Sequence, residues 1–299
     1  MEIINKFRKF SLIQQLLIIL IIILIGLYTF KVINYKENFN NIPKFTVNDN
    51  SNLYDDFYSN IYDKLHNCNN KNTLLVDIIK NNSNIKKTST ILDIGSGTGE
   101  IVNILSKNFN IHGIDKSNAM IKLSKAKFPN NKFINADFLN NNLNYDYNYT
   151  HLLCLNKMIY KIKNKKSLFI NCYQILSYHG ILVLHLVDIN KFNRLVNACR
   201  VNNFNPSKFL KDKNVKSKIN FDNFKYTADF ITNKDINEGV INEVFEFNDG
   251  SIRKNEHKLY MENYKTILQY AKDSGFIIDG QIAIKNNDGE YIFILKKNI

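Results

Sequence analysis

The fold of this chain is decided by one stretch, Ile91-Leu92-Asp93-Ile94-Gly95-Ser96-Gly97-Thr98-Gly99. A short apolar run followed by three glycines predicts a strand, a tight turn and the N-terminus of a helix. Glycine adopts backbone angles that are closed to other residues, and it lets a ligand approach the main chain. The turn alone does not identify the ligand, because dinucleotide-binding domains use a similar glycine-rich turn.

Strands and helices alternate along the chain downstream of this turn. The hydrophobic pattern predicts strands at 91–94, 111–114, 132–136, 150–155 and 181–187, and helices at 99–109, 117–128 and 165–177. Ser117 is expected to cap the second of these helices, which Pro129 ends. Alternating strands and helices imply a parallel sheet that is covered on both faces.

The pattern changes after residue 190. Segments 221–231 and 240–247 are rich in aromatic and β-branched residues, and Asn248-Asp249-Gly250 marks a turn before a further strand. These features predict an antiparallel sheet inserted at about residues 190–260. A helix at 264–273 then leads to two final strands at 277–284 and 291–296, joined by the turn Asn287-Asp288-Gly289.

Three features around the glycine stretch favour one cofactor. The glycines are spaced GxGxG rather than GxGxxG, Asp93 comes two residues before the first of them, and Asp115 ends the second strand. Together these features resemble motif I and the following acidic motif of class I S-adenosylmethionine (SAM)-dependent methyltransferases. The resemblance implies that Asp115 binds the ribose of SAM and that its methionine part is cradled by Asp93, Gly95, Ser96, Gly97, Thr98 and Gly99.

Further segments extend the resemblance over residues 53–297. Ala136, Asp137 and Phe138 follow the third strand, where the family binds adenine, and Leu155 would line the same site. Asp137 would accept a hydrogen bond from the adenine amino group. Gly275-Phe276 before two strands matches the family's terminal hairpin. The implied fold is α/β, a Rossmann-like seven-stranded methyltransferase sheet with a terminal antiparallel hairpin and an inserted antiparallel sheet.

Within this family the chain resembles small-molecule methyltransferases of the type 11/25-like group. In those enzymes an antiparallel insertion after the fifth strand covers the acceptor pocket. The helical segment 52–66, with three tyrosines, is similar to their N-terminal lid helix. The implied activity is transfer of a methyl group from SAM to a small-molecule or lipid-like acceptor.

The sequence offers no sharp catalytic residue. Methyl transfer is an in-line displacement from an activated leaving group, so proximity and orientation can supply the catalysis. Three candidates, Tyr160, His185 and Asp188, lie near the ends of the fourth and fifth strands. His185 shares a strand face with Val183 and Val187, which favours a core histidine over a general base. Asp188 equally suits a helix cap, and Tyr160 equally suits ordinary packing.

Neither a metal site nor a nucleic-acid surface is expected. The four cysteines show no metal-ligand spacing, and His66, His179 and His257 fit loops and helix ends. The formal net charge is +13, but a composition rich in Asn, Ile and Lys accounts for this charge without an anionic partner. No dense basic block interleaved with aromatic residues stands out.

The N-terminal residues predict a membrane anchor. Residues 12–30 carry no charge and contain an unbroken apolar run from Leu16 to Ile25. A helix of about 20 residues spans the roughly 30 Å hydrocarbon core, and the bulky residues near Leu27 do not resemble a signal-peptide cleavage site. The predicted organisation is an anchor at 1–33, a linker at 34–51 and a methyltransferase domain at 52–299. Basic residues flank the span equally, so they do not predict its orientation. The domain is expected in the cytosol because SAM is made there.

Three alternatives stay open at this point. A non-catalytic SAM-binding or interaction protein could use the same scaffold. An RNA-modifying methyltransferase is a second alternative, although base-methylating enzymes usually carry an Asn/Asp-Pro-Pro-Tyr motif where this chain has Leu155-Asn156-Lys157-Met158. An NAD-dependent oxidoreductase is the least favoured, because of the glycine spacing.

Overall fold

The computed structural model describes most of the chain from residue 45 onward and parts of the N-terminal segment. The described residues are 10–11, 13–15, 18, 20–21, 23–27, 45–48, 52–66, 68–140, 148–191, 215–233, 235–285 and 289–298. The described residues form two sheets, a seven-stranded sheet that contains residues 90–94 and a five-stranded sheet.

The central sheet has seven strands in the order β11-β12-β6-β5-β2-β3-β4. Strands β2 to β6 are parallel, whereas β12 is antiparallel to both β6 and β11. The predicted seven-stranded sheet and its terminal hairpin are therefore confirmed. The strands are β2 Thr90–Ile94, β3 Asn110–Asp115, β4 Lys132–Asn135, β5 Tyr149–Cys154, β6 Leu176–Val187, β11 Phe276–Ala283 and β12 Glu290–Lys297.

Helices cover both faces of this sheet. Successive residues of β2 show why, because Ile91 packs into one hydrophobic core and Leu92 into the other. Such alternation is what a strand buried on both sides requires. The helices are α1 Asp56–His66, α2 Cys68–Asn82, α3 Glu100–Ser106, α4 Asn118–Lys127, α5 Lys165–Ile175 and α6 Tyr264–Asp273, with a 3₁₀ turn at Met158–Lys161.

Local signals set most helix ends. The Ser117 side chain accepts a 3.1 Å hydrogen bond from the amide of Met120, which confirms the predicted cap of α4. Helix α5 ends two residues earlier than predicted, because the chain enters β6 at Leu176 rather than at Ile181. Tyr149 of β5 pairs with Leu176, so a neighbouring strand extends β6 backwards.

The second sheet has five strands in the order β1-β10-β9-β8-β7, and its antiparallel core confirms the predicted insertion. Gly250 has a φ of 83° in the predicted turn between β9 and β10. The edge strand β1 lies within the predicted linker and pairs in parallel with β10. The five strands are β1 Phe45–Asn48, β7 Val215–Asn220, β8 Phe224–Asn233, β9 Glu238–Phe247 and β10 Ile252–Tyr260.

Helix α1 packs against the inserted sheet. The Phe57 ring lies edge-on to three rings of the sheet, at centroid distances of 5.9 Å to Phe224, 5.3 Å to Phe245 and 5.4 Å to Phe247. Edge-to-face aromatic pairs at such distances stabilise a contact beyond simple burial. These contacts hold α1, the predicted lid helix, against the inserted sheet.

A buried polar cluster lies beneath this contact. The carboxylate of Glu243 accepts hydrogen bonds from the hydroxyls of Tyr58 and Tyr226, at 2.9 and 2.7 Å, and from the Asn255 amide at 3.1 Å. It also lies 2.7 Å from Nε2 of His257. Burial opposes ionisation, yet His257 and these hydrogen bonds lower the Glu243 pKa to about 2. His257 was expected in a loop or at a helix end; it lies instead on the buried face of β10.

Every described residue between positions 13 and 27 is helical, and the apolar side chains there are largely exposed, Ile25 to 58%. Among the described residues, no helix is both long and apolar enough to cross a membrane. The predicted anchor lies partly outside these residues, as does most of the predicted linker. The turn residues Asn287 and Asp288 also lie outside them.

The Tyr58 hydroxyl is expected to stabilise the fold through Glu243. Tyr58→Phe should lower the free energy of unfolding by about 1–2 kcal/mol, because a buried carboxylate loses one of its donors. Tyr178→Phe is the matched control, since that side chain is 79% exposed. Urea unfolding of both variants measures the difference, and equal stabilities would contradict a structural role for this hydroxyl.

Candidate functional site

A cavity opens at the carboxyl ends of β2, β3, β4 and β5, where ligands bind in open α/β sheets. Its volume is about 210 Å³. Every residue predicted to bind the cofactor lines this cavity except Gly99. The residues in that set are Asp93, Gly95, Ser96, Gly97, Thr98, Asp115, Ala136, Asp137, Phe138 and Leu155.

The glycine turn presents its backbone to the cavity. The amides of Gly95 and Ser96 donate to the carbonyl of Ile114, at 2.8 and 3.0 Å, so the turn is bonded to the neighbouring strand. Gly97 has a φ of 54°, and a Cβ added there would meet no atom within 4 Å. The turn therefore leaves open space beside its main chain, into which a ligand can come close.

Gly99 has a packing role instead. It has a φ of 84°, and a Cβ there would lie 2.7 Å from the ring of Phe133. The glycine therefore permits the start of α3 to approach β4 closely. The GxGxG spacing alone could not show whether Gly99 packs against β4 or contacts a ligand.

Asp115 connects two backbone segments at the end of β3. Its carboxylate accepts a 3.0 Å hydrogen bond from the amide of Gly97 and a 2.8 Å hydrogen bond from the amide of Ser117. A carboxylate has about four acceptor sites, so these two bonds leave capacity for hydroxyl donors in the cavity. The residues present thus fit the ribose end of SAM.

Asp93 lies deep in the cavity wall and is only 4% exposed. Burial, and then the nearby charge of Asp115, raise the pKa of its carboxyl to about 8. A positive charge placed next to this carboxyl would stabilise its ionised form and lower its pKa again. SAM carries such charges on its sulfonium and ammonium groups.

The segment after β4, which the resemblance assigns to adenine, lies in the wall of the cavity. The Asp137 carboxylate accepts a 2.9 Å hydrogen bond from the amide of Leu139 and lines the cavity. The neighbouring Phe138 is buried, and its carbonyl accepts a 3.0 Å hydrogen bond from Asn171 of α5. This contact fixes the segment against the helix that follows β5.

None of the three catalytic candidates is among the described residues that line the cavity. Tyr160 is buried, and its hydroxyl accepts from the amide of Val187 at 2.9 Å. His185 is fully buried and lies 3.1 Å from Glu290, and burial lowers its pKa to about 4. Asp188 accepts a hydrogen bond from the amide of Asn190. All three therefore have structural partners, as the packing alternatives suggested.

Several lining residues are outside the predicted set of cofactor-binding residues. Two come from the lid region and the others mainly from the segment after β5: Tyr54, Tyr62, Met158, Lys161, Ile162 and Lys163. The tyrosine repeat at helical spacing was the available signal for the first two. The basic run after β5 had no distinguishing pattern, because lysine is frequent along the whole chain.

Hydrogen bonds tie the lid to the cofactor cradle. Thr98 donates a 2.6 Å hydrogen bond to Asp63 of α1, and the second oxygen of Asp63 lies 2.7 Å from the Lys127 ammonium. The Ser117 hydroxyl also donates to the carbonyl of Tyr54, at 2.6 Å. The lid is thus bonded to the glycine turn and to the start of α4.

Comparison with known proteins agrees with this geometry. Residues 92–184 match the family model of the methyltransferase domain. A ubiquinone/menaquinone biosynthesis C-methyltransferase of Campylobacter jejuni is 31% identical over 124 residues, which are 39% of this chain and 52% of that protein. The chain thus spans about half the length of this curated relative.

Solved structures share the fold over a larger part of the chain. A SAM-dependent methyltransferase from Clostridium acetobutylicum has a TM-score of 0.61 at 17% identity, covering 81% of this chain and 98% of the other. The CcbJ methyltransferase from Streptomyces caelestis has a TM-score of 0.63 at 12% identity, covering 83% and 98%. At these identities the likeness shows the fold.

The matched domain, the shared fold and the glycine turn with its acidic partners lead to one conclusion. Residues 92–184 form a methyltransferase domain, and the chain has the fold of SAM-dependent methyltransferases.

Proposed function

We propose that this protein transfers a methyl group from SAM to a small-molecule or membrane-associated acceptor. The observation that carries the proposal is the cavity itself. It joins an open glycine backbone with three carboxylates, Asp93, Asp115 and Asp137, and lies beside a lid that is bonded to the same turn. This arrangement suits a cationic ligand that also carries a ribose and an adenine.

The residues of the chain contribute position and environment. Bound SAM would supply a methyl group attached to a sulfonium sulfur, and this sulfur leaves readily as a neutral thioether. Asp115 and the glycine turn hold the ribose and methionine parts, while Phe138 and Leu155 give the cavity an apolar wall. Tyr54 and Tyr62 add aromatic rings to the lining of the cavity. Such orientation in a partly dry site can supply much of the rate.

No histidine is among the residues that line the described cavity. A general base is needed only when the acceptor atom arrives protonated. None of the three catalytic candidates lines the described cavity either, so we assign no general base.

Asp115→Asn tests the ribose assignment. The amide has one acceptor oxygen, so it cannot serve both backbone donors and the ribose hydroxyls. We expect the affinity for SAM to fall by about tenfold or more, corresponding to roughly 1.4 kcal/mol. Isothermal titration of the full chain measures this change.

Asp279→Asn is the matched control, because Asp279 is an exposed residue of β11 outside the cavity. Equal SAM affinity in both variants would contradict the ribose assignment. Absence of SAM binding by the folded wild-type chain would favour the non-catalytic scaffold, and binding of NAD instead would favour a dinucleotide enzyme.

Asp93 predicts a pH-dependent affinity for SAM. Between the ordinary carboxyl pKa of 3.8 and its raised value of about 8, the ligand-free fold keeps a proton that the unfolded chain releases. Stability of the ligand-free protein therefore falls as pH rises through this window. A cationic ligand favours the ionised form, so SAM affinity should rise about fivefold from pH 7 to pH 8.

Titration of Asp93→Asn at the same pH values is the control, since the ligand's own ionisation affects both proteins alike. The variant should bind SAM more weakly at pH 8 and lack this rise. An identical pH profile in the two proteins would contradict the assignment of Asp93 to the cationic part of the ligand.

We further propose that the N-terminal helical segment attaches the protein to a membrane, with the methyltransferase domain in the cytosol. Supporting this proposal are the uncharged run at 12–30 and the exposure of its described apolar side chains. Leu20 and Leu24 are 51% and 54% exposed, one helical turn apart. Exposed apolar surface of this kind marks a binding site for lipid or protein.

The double variant Leu20→Arg/Leu24→Arg tests this attachment. Charges are costly in the hydrocarbon region, at roughly 2.5–3.5 kcal/mol each, so the variant should no longer co-sediment with phosphatidylcholine vesicles. Ile277→Arg is the control, because Ile277 is 50% exposed on β11. Co-sedimentation of the double variant at the wild-type level would contradict membrane attachment through this helix.

A further inference from the structure

The segment after β5 places two lysines at the cavity. Lys161 ends the 3₁₀ turn and Lys163 follows two residues later; both are exposed, and both line the cavity. Between them Ile162 is extended, with φ −96° and ψ 121°. Side chains on either side of an extended residue point to the same side, so the two ammonium groups belong to one surface of the cavity.

The segment is fixed by a neighbouring lysine. The buried Lys165 ammonium donates to the carbonyls of Ile162 and Tyr260, at 3.1 and 2.9 Å. It also forms a 2.6 Å ion pair with Glu262. These contacts attach the segment to the end of β10, so Lys161 and Lys163 extend from a rigid base.

Their charges are not neutralised by any described residue. Other lysines around the site have anionic partners, such as Lys127 with Asp63 and Lys157 with Glu290. Within the described ranges neither Lys161 nor Lys163 forms an ion pair, and the Lys161 ammonium lies 4.3 Å from the ring centroid of Tyr54. This contact holds the ammonium beside a tyrosine that lines the same cavity.

The carboxylates of the cavity lie elsewhere. Asp115 and Asp137 follow β3 and β4, which lie on one side of β2, whereas the lysine segment follows β5 on the other side. The strand order thus places Asp115 and Asp137, suited to cationic SAM, apart from Lys161 and Lys163, although Lys116 also lines the cavity beside Asp115. A cavity divided in this way selects a second ligand of opposite charge to the first.

We propose that the acceptor carries an acidic group, a carboxylate or a phosphate, which Lys161 and Lys163 bind at the mouth of the cavity. This inference rests on the proposed methyl transfer and specifies its substrate class. The lysines determine specificity and orient the acceptor, and they take no part in the transfer of the methyl group. Charge-assisted hydrogen bonds to two ammonium groups would fix one end of the acceptor while its nucleophilic atom faces SAM.

The experiment uses the full chain saturated with S-adenosylhomocysteine, the demethylated product of SAM. Three probes of similar size are titrated and followed by saturation-transfer NMR: phenyl phosphate, benzoate and uncharged benzyl alcohol. They are compared in the wild type, in Lys161→Gln/Lys163→Gln and in Lys166→Gln. Lys166 is the matched control, because it is exposed in the same segment, lies over the Tyr270 ring and does not line the cavity.

We expect at least one of the two acids to bind the wild type about tenfold more tightly than benzyl alcohol. The double variant should lose this preference, and Lys166→Gln should keep it. Whichever acid binds more tightly identifies the phosphate or the carboxylate as the preferred group. Higher salt should weaken the binding of the acids and leave that of benzyl alcohol unchanged.

Equal affinity for acids and alcohol in the wild type would overturn the inference, as would unchanged acid binding in the double variant. Loss of S-adenosylhomocysteine binding in the double variant would also overturn it, because the lysines would then belong to the cofactor site. Failure of the wild type to bind S-adenosylhomocysteine would instead overturn the proposed methyl transfer, and the acceptor assignment with it.

Discussion

The site depends on the carboxylate of Asp115 more than on any other group. One of its oxygens accepts from Gly97 and the other from Ser117, whose hydroxyl in turn donates to the carbonyl of Tyr54. A single side chain at the end of β3 therefore aligns the glycine turn, the start of α4 and the residues that precede the lid. Backbone donors at a turn and at a helix start need such a partner, and here the partner also faces the cavity.

Helix α1 joins two parts of the molecule that have separate cores. Asp63 accepts from Thr98 in the cofactor cradle, whereas Phe57 and Tyr58 pack into the inserted sheet. Movement of this helix would break contacts on both sides together. The lid therefore couples the cofactor half of the cavity to the sheet that covers it, because the same eleven-residue helix supplies both sets of contacts.

Two buried carboxylates show how charge is tolerated inside this protein. Glu243 has four hydrogen-bonding partners under the lid, and Glu290 lies between His185 and Lys157 at the edge of the central sheet. Each is acceptable because a buried charge with several donors avoids the full cost of lost hydration. Asp93 has a different environment, since burial raises its pKa while the cavity leaves room for a cationic ligand. That contrast separates the structural carboxylates from Asp93, which we assign to the cationic part of SAM.

Local sequence patterns were enough to predict the central sheet, the cap at Ser117 and the terminal hairpin, and all predicted cofactor residues except Gly99 line the cavity. Each of these features follows from local periodicity or from glycine and acidic residues at fixed spacing. Other features depend on contacts between distant parts of the chain. On β10 the alternating Arg253, Asn255 and His257 are buried because each has a partner from another element. Glu243 on the adjacent strand bonds to Asn255 and His257, and Asp55, just before α1, pairs with Arg253. Likewise β1 is a strand because it pairs with β10. The segment that contains Lys161 is fixed at the cavity because Lys165, four residues later, pairs with Glu262. Such contacts join residues far apart in sequence, and no local pattern records them.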